Sequence, residues 1–239
     1  MKEILKSFLS TLTFFTILPT GKNHRTPSLS FLPWIGWITG GISLGIYFSF
    51  HTLIPFPFLI SIVLLCEIWI TGGIHWEGLT DTFDALLSHK DKEECLRILK
   101  DPHAGVRGLL ALLTFLTLRY VGLYLSLQIS PTVLLKAPVI ARAGTFLMVF
   151  IFPPLKKEGL GYYFSQNKGN AFIAYLSLLP IFFLPKFVNS IFLLTFAFLF
   201  VYFTGRYFLK KWGGFNGDIL GAQIEMTQTL LYFLSLIEI

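Results

Sequence analysis

The sequence predicts an all-α protein, a polytopic membrane helix bundle with about six to seven transmembrane helices. Of its 239 residues, 54% are hydrophobic and only 13% are charged, and the mean hydropathy is +0.69. A soluble domain carries about 25% charged residues. The basic residues, which give a formal charge of +6, stand in short blocks between apolar runs, as the orientation of a membrane protein requires. No basic stripe alternates with aromatic residues in a polar region, so nucleic-acid binding is not expected.

Residues 1–18 begin the chain with an apolar stretch that serines and threonines interrupt. The stretch is short for a transmembrane helix, which needs about 20 residues, so an interfacial helix and a membrane helix are both compatible with it. Clearer apolar segments follow at 34–50, 58–70, 109–127, 133–152, 171–184, 188–209 and 219–239. Together they predict one integral membrane domain over residues 1–239.

Long basic connections alternate along the chain with short connections that carry little charge. The long ones are at 20–33, 71–108, 153–170 and 205–218. Because cytoplasmic loops carry an excess of lysine and arginine, all four are expected on the cytoplasmic side. This arrangement gives six crossings plus the N-terminal helix. It also collects the polar, glycine-rich sequence on the face where an enzyme would meet cytosolic substrates.

Several charged residues interrupt the apolar segments and should face the bundle interior or a wet cavity. They are Glu67, Arg119, Lys136, Arg142 and Glu225. Glu67 stands near the end of its segment. A functional role inside the bundle and a simple position at the headgroup boundary therefore both remain open for it.

The acidic island, which consists of Glu77, Asp81 and Asp84, is the most informative feature of residues 71–108. The spacing i, i+4 and i+7 places the three carboxylates on one face of a helix, where they repel one another unless a cation lies among them. Oxygen ligands suit a hard divalent ion, so we expect Mg²⁺, and the set would also serve two ions that clamp a diphosphate. The alternative is a solvated face balanced by nearby basic residues. With only 13 acidic residues in the chain, we favour the metal site.

Other polar blocks carry groups that suit phosphate recognition and a larger acidic pocket. Lys100 and Arg107 flank two glycines and would hold phosphate oxygens, although an ordinary loop before a span would have the same composition. Asp218 opens a helix on which Glu225 follows seven residues later, so the two would share a face. Carboxylates for a metal and basic residues for phosphate, in a membrane bundle, favour phosphoryl or nucleotidyl-ester transfer. The chain has no GxxxxGK[ST] phosphate loop.

Three motifs together resemble the cobalamin synthase family. They are HWEGLTDTFD at 75–84, KDPHAG at 100–105 and GGFNGDILGA at 213–222, with ARA at 141–143 and EGLG at 158–161 in the expected order. The resemblance covers nearly the whole chain. Glu77 stands where the family usually has Asp, which keeps the ligand chemistry, and Ala85 stands where it usually has Gly. The 100–108 block also departs in its bulkier residues.

The resemblance implies a Mg²⁺-dependent, multi-pass enzyme of the cell inner membrane whose active site faces the cytoplasm. It would join adenosylcobinamide-GDP to α-ribazole 5′-phosphate, or to α-ribazole, and release GMP, which is the late step of cobalamin nucleotide-loop assembly. A ribose hydroxyl would attack the phosphorus on the cobinamide arm, and Asp84 or Asp218 would accept its proton. Membrane lipid would surround the bundle. A homo-oligomer, or association with other corrinoid-pathway enzymes, is compatible with this arrangement.

The site residues expected from the motifs fall into three overlapping groups. The metal ligands are Glu77, Asp81 and Asp84, and the catalytic residues are Asp81, Asp84 and Asp218. The substrate or phosphate contacts are His75, Lys100, Asp101, Arg107, Arg142, Asn216, Asp218 and Glu225.

Two other functions fit parts of the sequence. A CDP-alcohol phosphotransferase of the membrane would also present aspartates to a metal–diphosphate, but its DGxxAR run is absent. A non-enzymatic ion or solute transporter would distribute its acids through the spans, whereas most acids here stand in the polar connections.

Overall fold

The computed structural model describes residues 2–20, 27–101 and 103–237, and these residues form eleven α-helices with no named β-strand. The helices are α1 Lys2–Phe15, α2 Leu32–Phe50, α3 Phe56–Ile70, α4 Ile74–Leu87, α5 Lys92–Ile98, α6 Val106–Ile129, α7 Val133–Ile151, α8 Gly159–Gln166, α9 Ala171–Leu176, α10 Phe187–Trp212 and α11 Gly217–Leu234. Short 3₁₀ helices precede α2 and follow α9. The predicted all-α class is confirmed. Part of the predicted 20–33 connection lies outside the described residues.

Four helical segments are long and apolar enough to cross a membrane, among the residues that the structure describes. They are Leu29–Phe50, Val106–Ile129, Val133–Ile151 and Phe187–Trp212, and the bent pair of α3 and α4 raises the number to five if it counts as one span. The chain is therefore a multi-pass membrane protein by length and composition. The count of six to seven crossings stays a prediction. Its weakest segment is 171–184, which divides into α9 and a 3₁₀ helix instead of forming one continuous α-helix.

The length of the N-terminal helix does not show whether it crosses the membrane. At about 1.5 Å per residue, the 14 residues of α1 extend about 21 Å, less than the ~30 Å hydrocarbon core of a bilayer. Its first turns are exposed, and Phe15 near its end is buried. An interfacial position and a partly inserted one both remain compatible with the helix.

The chain turns sharply between α3 and α4. Gly72 and Gly73 have φ values of +61° and +74°, a left-handed region that residues with a Cβ adopt at a cost. The two helices consequently meet at 88°. This turn carries α4, with the acidic island, away from the direction of α3 and against α6 and α11.

The last helix, α11, is the centre of the bundle rather than a lipid-facing span. Almost every residue from Ile219 to Thr229 is buried, although several of these side chains are polar. The polar side chains bond to one another: Thr204 Oγ1 donates to Gln223 Oε1 at 2.6 Å, and Gln223 Nε2 donates to Thr227 at 2.9 Å. Because buried polar groups need partners, this helix requires neighbours on all sides.

Glycines on α2 allow close packing against α7, as the sequence predicts for small residues on a membrane helix. A Cβ on Gly36 would lie 2.7 Å from the Pro138 carbonyl oxygen. Gly40 is similarly close to the Leu134 backbone, whereas Gly41 and Gly45 have nothing near them. Of these four glycines, two therefore lie at the contact with α7.

Candidate active site

The acidic island lies on a helix, as the spacing predicts, and a fourth carboxylate joins it from α11. Gly78 makes the approach possible, since a Cβ there would lie 2.7 Å from the Asp218 carbonyl oxygen. The backbone of α11 therefore begins directly against α4, and Asp218 stands beside Glu77 and Asp81. Two helices that are distant in sequence combine their acids at one end of the bundle.

The electrostatics of Asp81 and Asp218, which lie outside the four long candidate spans, show how close the acids are. Burial, followed by the charges of Asp218, Glu77 and Asp84, raises the pKa of Asp81 to about 6. Burial raises the pKa of Asp218 as well; a hydrogen bond from Asn216 opposes this rise and the charge of Glu77 adds to it. Bringing these carboxylates together therefore costs electrostatic free energy, and a bound cation would lower that cost.

Asp84 has a structural partner that the sequence did not indicate. The backbone N–H of Gly108 donates to Asp84 Oδ1 at 3.1 Å, in the first turn of α6. Gly105 lies so close that a Cβ there would overlap the Asp84 carboxylate. A carboxylate at a helix N-terminus is favourable, because the N–H groups there lack helical partners. Asp84 therefore ties the start of α6 to the acidic island.

The carboxylates do not converge on one point. Among the described residues, no three His, Cys, Asp or Glu side chains are arranged so that they would hold a metal ion by themselves. Asp84 is turned toward Gly108, and Asp218 accepts a hydrogen bond from Asn216. Any metal here would complete its shell with water or substrate oxygens.

Asn216 positions the start of α11. Its side-chain oxygen accepts from the Ile219 N–H at 2.9 Å, and its Nδ2 donates to Asp218 Oδ2 at 2.7 Å. The preceding residue, Phe215, exchanges backbone hydrogen bonds with the loop after α7: its N–H donates to Pro153 and its carbonyl accepts from Leu155. This pairing brings the glycine-rich 158–161 block against Asn216, since a Cβ at Gly161 would touch the Asn216 backbone.

A basic cleft of about 450 Å³ opens beside Asp218. We define the basic cleft by its polar lining residues, which are Lys100, Lys156, Glu158, Asn216 and Asp218. Lys100 Nζ lies 3.0 Å from Glu158 Oε1, and this contact raises the pKa of the lysine and lowers that of the glutamate. The cleft therefore holds two ammonium groups together with the carboxylates of Glu158 and Asp218.

An apolar pocket of about 250 Å³ lies on the other side of the same residues. We define the apolar pocket by its aromatic wall of Phe14, Phe15 and Phe164, and it shares Leu160, Gly217 and Asp218 with the basic cleft. Neither Phe14 nor Phe15 stood out in the sequence. Their position depends on how α1 folds back over the bundle, and no local pattern encodes it.

Two expected phosphate contacts are exposed and line neither cavity. Arg107 is exposed in the first turn of α6. Asp101 is occupied with His103, whose backbone N–H and ring Nδ1 both lie 2.9 Å from Asp101 Oδ1. Among the described residues of the 100–108 block, Lys100 alone lines the basic cleft.

Three more expected contacts, His75, Arg142 and Glu225, lie in the interior. Arg142 donates to the Pro138 carbonyl at 3.1 Å, and it faces a cavity of only about 10 Å³ that Glu225 also lines. Arg142 and Glu225 therefore line an interior cavity to which Asp218 does not contribute, and their expected roles as substrate contacts stay a prediction. Glu225 lies seven residues after Asp218, which is about 10 Å farther along the axis of α11. His75 is buried too, but its ring lines the apolar pocket.

An interior ion network holds α3, α6 and α11 together. Arg119 Nη1 lies 2.9 Å from Glu67 Oε2, and Arg119 Nη2 lies 2.7 Å from Glu225 Oε2. Tyr232 and Gln228 donate to Glu67 at 2.5 and 3.2 Å. Glu67 is only 8% exposed, so its side chain faces the bundle interior, whereas its depth in the membrane stays a prediction. The sequence identified the three charges but not Gln228 or Tyr232.

Replacement of Gly78 by alanine tests the contact between α4 and α11. The added Cβ would meet backbone atoms of Asp218, which cannot rotate away, so we expect a loss of about 1–3 kcal/mol in the free energy of unfolding and a displaced Asp218. Gly41→Ala is the matched control, because nothing lies within 4 Å of its Cβ position. Denaturant unfolding in detergent micelles measures both. Equal stabilities for the two variants would contradict the packing described here.

Comparison with known proteins identifies the family. A model of the family described as "Cobalamin-5-phosphate synthase" matches residues 7–236. A protein of Clostridium botulinum named adenosylcobinamide-GDP ribazoletransferase is 32% identical over 236 residues, which is 95% of each chain. Proteins of the same name from Clostridium kluyveri and Clostridioides difficile are 32% and 31% identical, over 96% of each chain. No solved structure shows a significant match. The chain belongs to the cobalamin-5-phosphate synthase family.

Proposed function

We propose that this protein is an adenosylcobinamide-GDP ribazoletransferase. It joins adenosylcobinamide-GDP to α-ribazole 5′-phosphate, or to α-ribazole, and GMP leaves. The family match and the names of its relatives support this assignment. The observation that carries it is the placement of Asp218 between two adjoining cavities, one basic and one apolar. Two substrates that must exchange a group can meet at such a boundary.

The reaction needs positioning and charge compensation more than covalent chemistry from the protein. A ribose hydroxyl attacks the phosphorus attached to the cobinamide arm, a new P–O bond forms, and the bond to GMP breaks. Lys100 and Lys156 bind phosphate oxygens in the basic cleft, because ammonium groups make strong hydrogen bonds to phosphate. Asp218 accepts the hydroxyl proton, since it lines both cavities and its raised pKa suits a proton acceptor.

Mg²⁺ fits the donor set, and Glu77 and Asp81 would hold it together with water or substrate oxygens, which leaves Asp218 free to accept the proton. The protein ligands are carboxylate oxygens, which hard divalent cations prefer. In proteins Mg²⁺ usually keeps several waters and uses one or two carboxylates plus substrate phosphates, so the absence of three convergent ligands among the described residues agrees with that habit. When bound, the ion supplies positive charge to the diphosphate. Asp84 is the least available of the acids because it already bonds to α6.

The protein lies in the cell inner membrane with the acidic island on the cytoplasmic side. The contacts of α4, α11 and the 153–161 segment gather the polar blocks at one end of the bundle. The basic residues in those blocks favour that end as the cytoplasmic one. Adenosylcobinamide-GDP and α-ribazole 5′-phosphate carry charged phosphates and do not cross a bilayer unaided, which favours an active site open to one aqueous side.

Turnover by the purified protein tests the assignment. Adenosylcobinamide-GDP and α-ribazole 5′-phosphate with Mg²⁺ should yield one GMP per adenosylcobalamin 5′-phosphate, measured by chromatography. Removal of the metal with a chelator should stop the reaction, and addition of Mg²⁺ should restore it. Absence of GMP release with either acceptor would overturn the proposed function.

Lys156 and Lys157 form a matched pair for the basic cleft. Lys156 lines the cleft, whereas Lys157 is exposed and does not. Lys156→Ala should raise the KM for adenosylcobinamide-GDP by roughly 10-fold, the equivalent of one hydrogen bond to a charged group, and Lys157→Ala should leave it unchanged. Steady-state kinetics with the acceptor saturating makes the comparison. Equal effects of the two changes would place the donor elsewhere.

A further inference from the structure

We infer that the apolar pocket is the seat of the acceptor's aromatic base, with the acceptor's ribose directed at Asp218. This inference rests on the proposed function and assigns one of its two substrates to a place. The ligand class is a nucleoside whose base is an apolar fused ring, as the benzimidazole of a ribazole is. The diphosphate of the donor then occupies the basic cleft.

The walls of the apolar pocket favour a flat, uncharged ring. Phe15 and Phe164 lie roughly parallel, with centroids 6.0 Å apart, and Phe14 meets Phe164 edge-on at 5.9 Å. Aliphatic side chains complete the lining: Leu29, Leu32, Leu220 and Ile224. Aromatic rings prefer offset or edge-to-face contacts with other rings. No lysine or arginine occurs among the described residues that line this pocket, so it offers nothing to a phosphate.

Size and polarity exclude the other parts of the substrates. A volume of about 250 Å³ is below the ~300–1,000 Å³ typical for a drug-sized ligand, so a corrin ring does not enter. Guanine carries several donors and acceptors, and each would need a partner when buried. Away from its polar end the pocket offers few, because Thr145 already donates to the Ala141 carbonyl at 3.1 Å. A benzimidazole leaves far fewer groups to satisfy.

His75 supplies an independent sign that a ligand belongs here. His75 is only 2% exposed, and its Nε2 has no hydrogen-bond partner among the described residues. Nδ1 lies 3.5 Å from Glu225 Oε1 and likewise makes no hydrogen bond among the described residues. With the ring proton on Nδ1, on the side of this carboxylate, Nε2 is an acceptor. The ring lines the apolar pocket and lies 5.9 Å from the Phe15 ring. A ribose hydroxyl of the acceptor could donate the hydrogen bond that Nε2 does not receive from the protein.

The two ends of the pocket match the two ends of such a nucleoside. The aromatic wall is contributed by α1 and α8, and the polar end by Glu77, His75 and Asp218 on α4 and α11. Seating the base against the phenylalanines places the sugar at the boundary with the basic cleft. The attacking hydroxyl then meets the donor's phosphorus at the acids, where transfer requires it.

Phe14 and Phe8 provide the test, since both are partly buried phenylalanines on α1. Phe14 lines the pocket, whereas Phe8 packs edge-to-face on Phe31 at 5.6 Å, outside the pocket. Phe14→Ala should weaken binding of α-ribazole to the full-length protein, measured by equilibrium dialysis without donor, and should raise its KM about 3- to 10-fold. Phe8→Ala should change neither value. The KM for adenosylcobinamide-GDP should stay constant in both variants, which also shows that they fold.

A second variant reports occupancy directly. Phe14→Trp places an indole at the pocket, and its fluorescence should change on addition of α-ribazole but not of GMP. Loss of donor affinity instead of acceptor affinity in Phe14→Ala would assign the pocket to guanine and overturn the inference. Unchanged acceptor binding in both Phe14 variants would overturn it as well. In either case GMP release by the unaltered protein would leave the proposed function standing, whereas no release would remove the function itself.

Discussion

Replacement of Arg119 by methionine is expected to lower the free energy of unfolding by about 3–5 kcal/mol. The change leaves Glu67 and Glu225 buried without their counter-charge, and an uncompensated buried charge is costly in that range. Arg119 also bonds to Thr229 at 2.9 Å, and its guanidinium lies over the rings of Trp76 and Tyr232. Unfolding of the detergent-solubilised protein by denaturant gives the measurement.

Arg206 is the matched control for this change. It stands on a long helix, α10, but is exposed, so Arg206→Met should alter the stability by less than about 0.5 kcal/mol. Neutralising the whole network should recover much of the loss, because it removes the unpaired charges. The variant for this is Arg119→Met combined with Glu67→Gln and Glu225→Gln. A stable Arg119→Met single variant would show that the network contributes little.

Replacement of Asp81 by asparagine is expected to reduce kcat by about 10³-fold. The change keeps the volume of the side chain and removes its charge. A bound metal supplies several kcal/mol of charge stabilisation, and each ~1.4 kcal/mol is tenfold in rate. Asp81 is the acid whose pKa shows the influence of all three other carboxylates, so it stands at their centre. GMP release over a range of Mg²⁺ concentrations measures the effect.

Glu94→Gln is the control for Asp81→Asn, because Glu94 is a partly exposed acid on α5 that contacts Arg97 and not the acidic island. It should retain both rate and metal dependence. Asp81→Asn should also be more stable than the unaltered protein when metal is absent, since it relieves repulsion among the clustered acids. A variant that keeps its rate at saturating Mg²⁺ would contradict a central role for Asp81.

Local features of the site were predictable because they repeat within one helix. The i, i+4 and i+7 spacing of Glu77, Asp81 and Asp84 fixed their common face once α4 formed. The polar character of the 100–108 and 213–218 blocks similarly indicated where the chain leaves the apolar bundle. Among the described residues of those blocks, the ones that line the cavities are Lys100, Phe215, Asn216, Gly217 and Asp218.

Arg142, Glu225 and Glu67 show where such reasoning fails. A charged residue within an apolar segment must face protein or water, but the surrounding sequence does not show which residue it pairs with. Arg142 and Glu225 form part of an interior network, and Glu67 belongs to the same network through Arg119. The partners come from helices that are more than fifty residues apart, so no periodicity within one helix reveals them.

The sequence by itself determined the all-helical membrane class, the acidic island and the family. Each of these depends on composition, on spacing within one helix or on short motifs. Tertiary structure alone decided that Asp218 joins the acidic island, that Asp84 ties α6 to α4, and that α1 closes an apolar pocket beside them. Those outcomes depend on which helices pack against each other. A glycine such as Gly78 permits a close approach of two backbones, but its presence in the sequence does not show which helix will approach. The acidic island thus became part of a boundary between two cavities only when the helices packed.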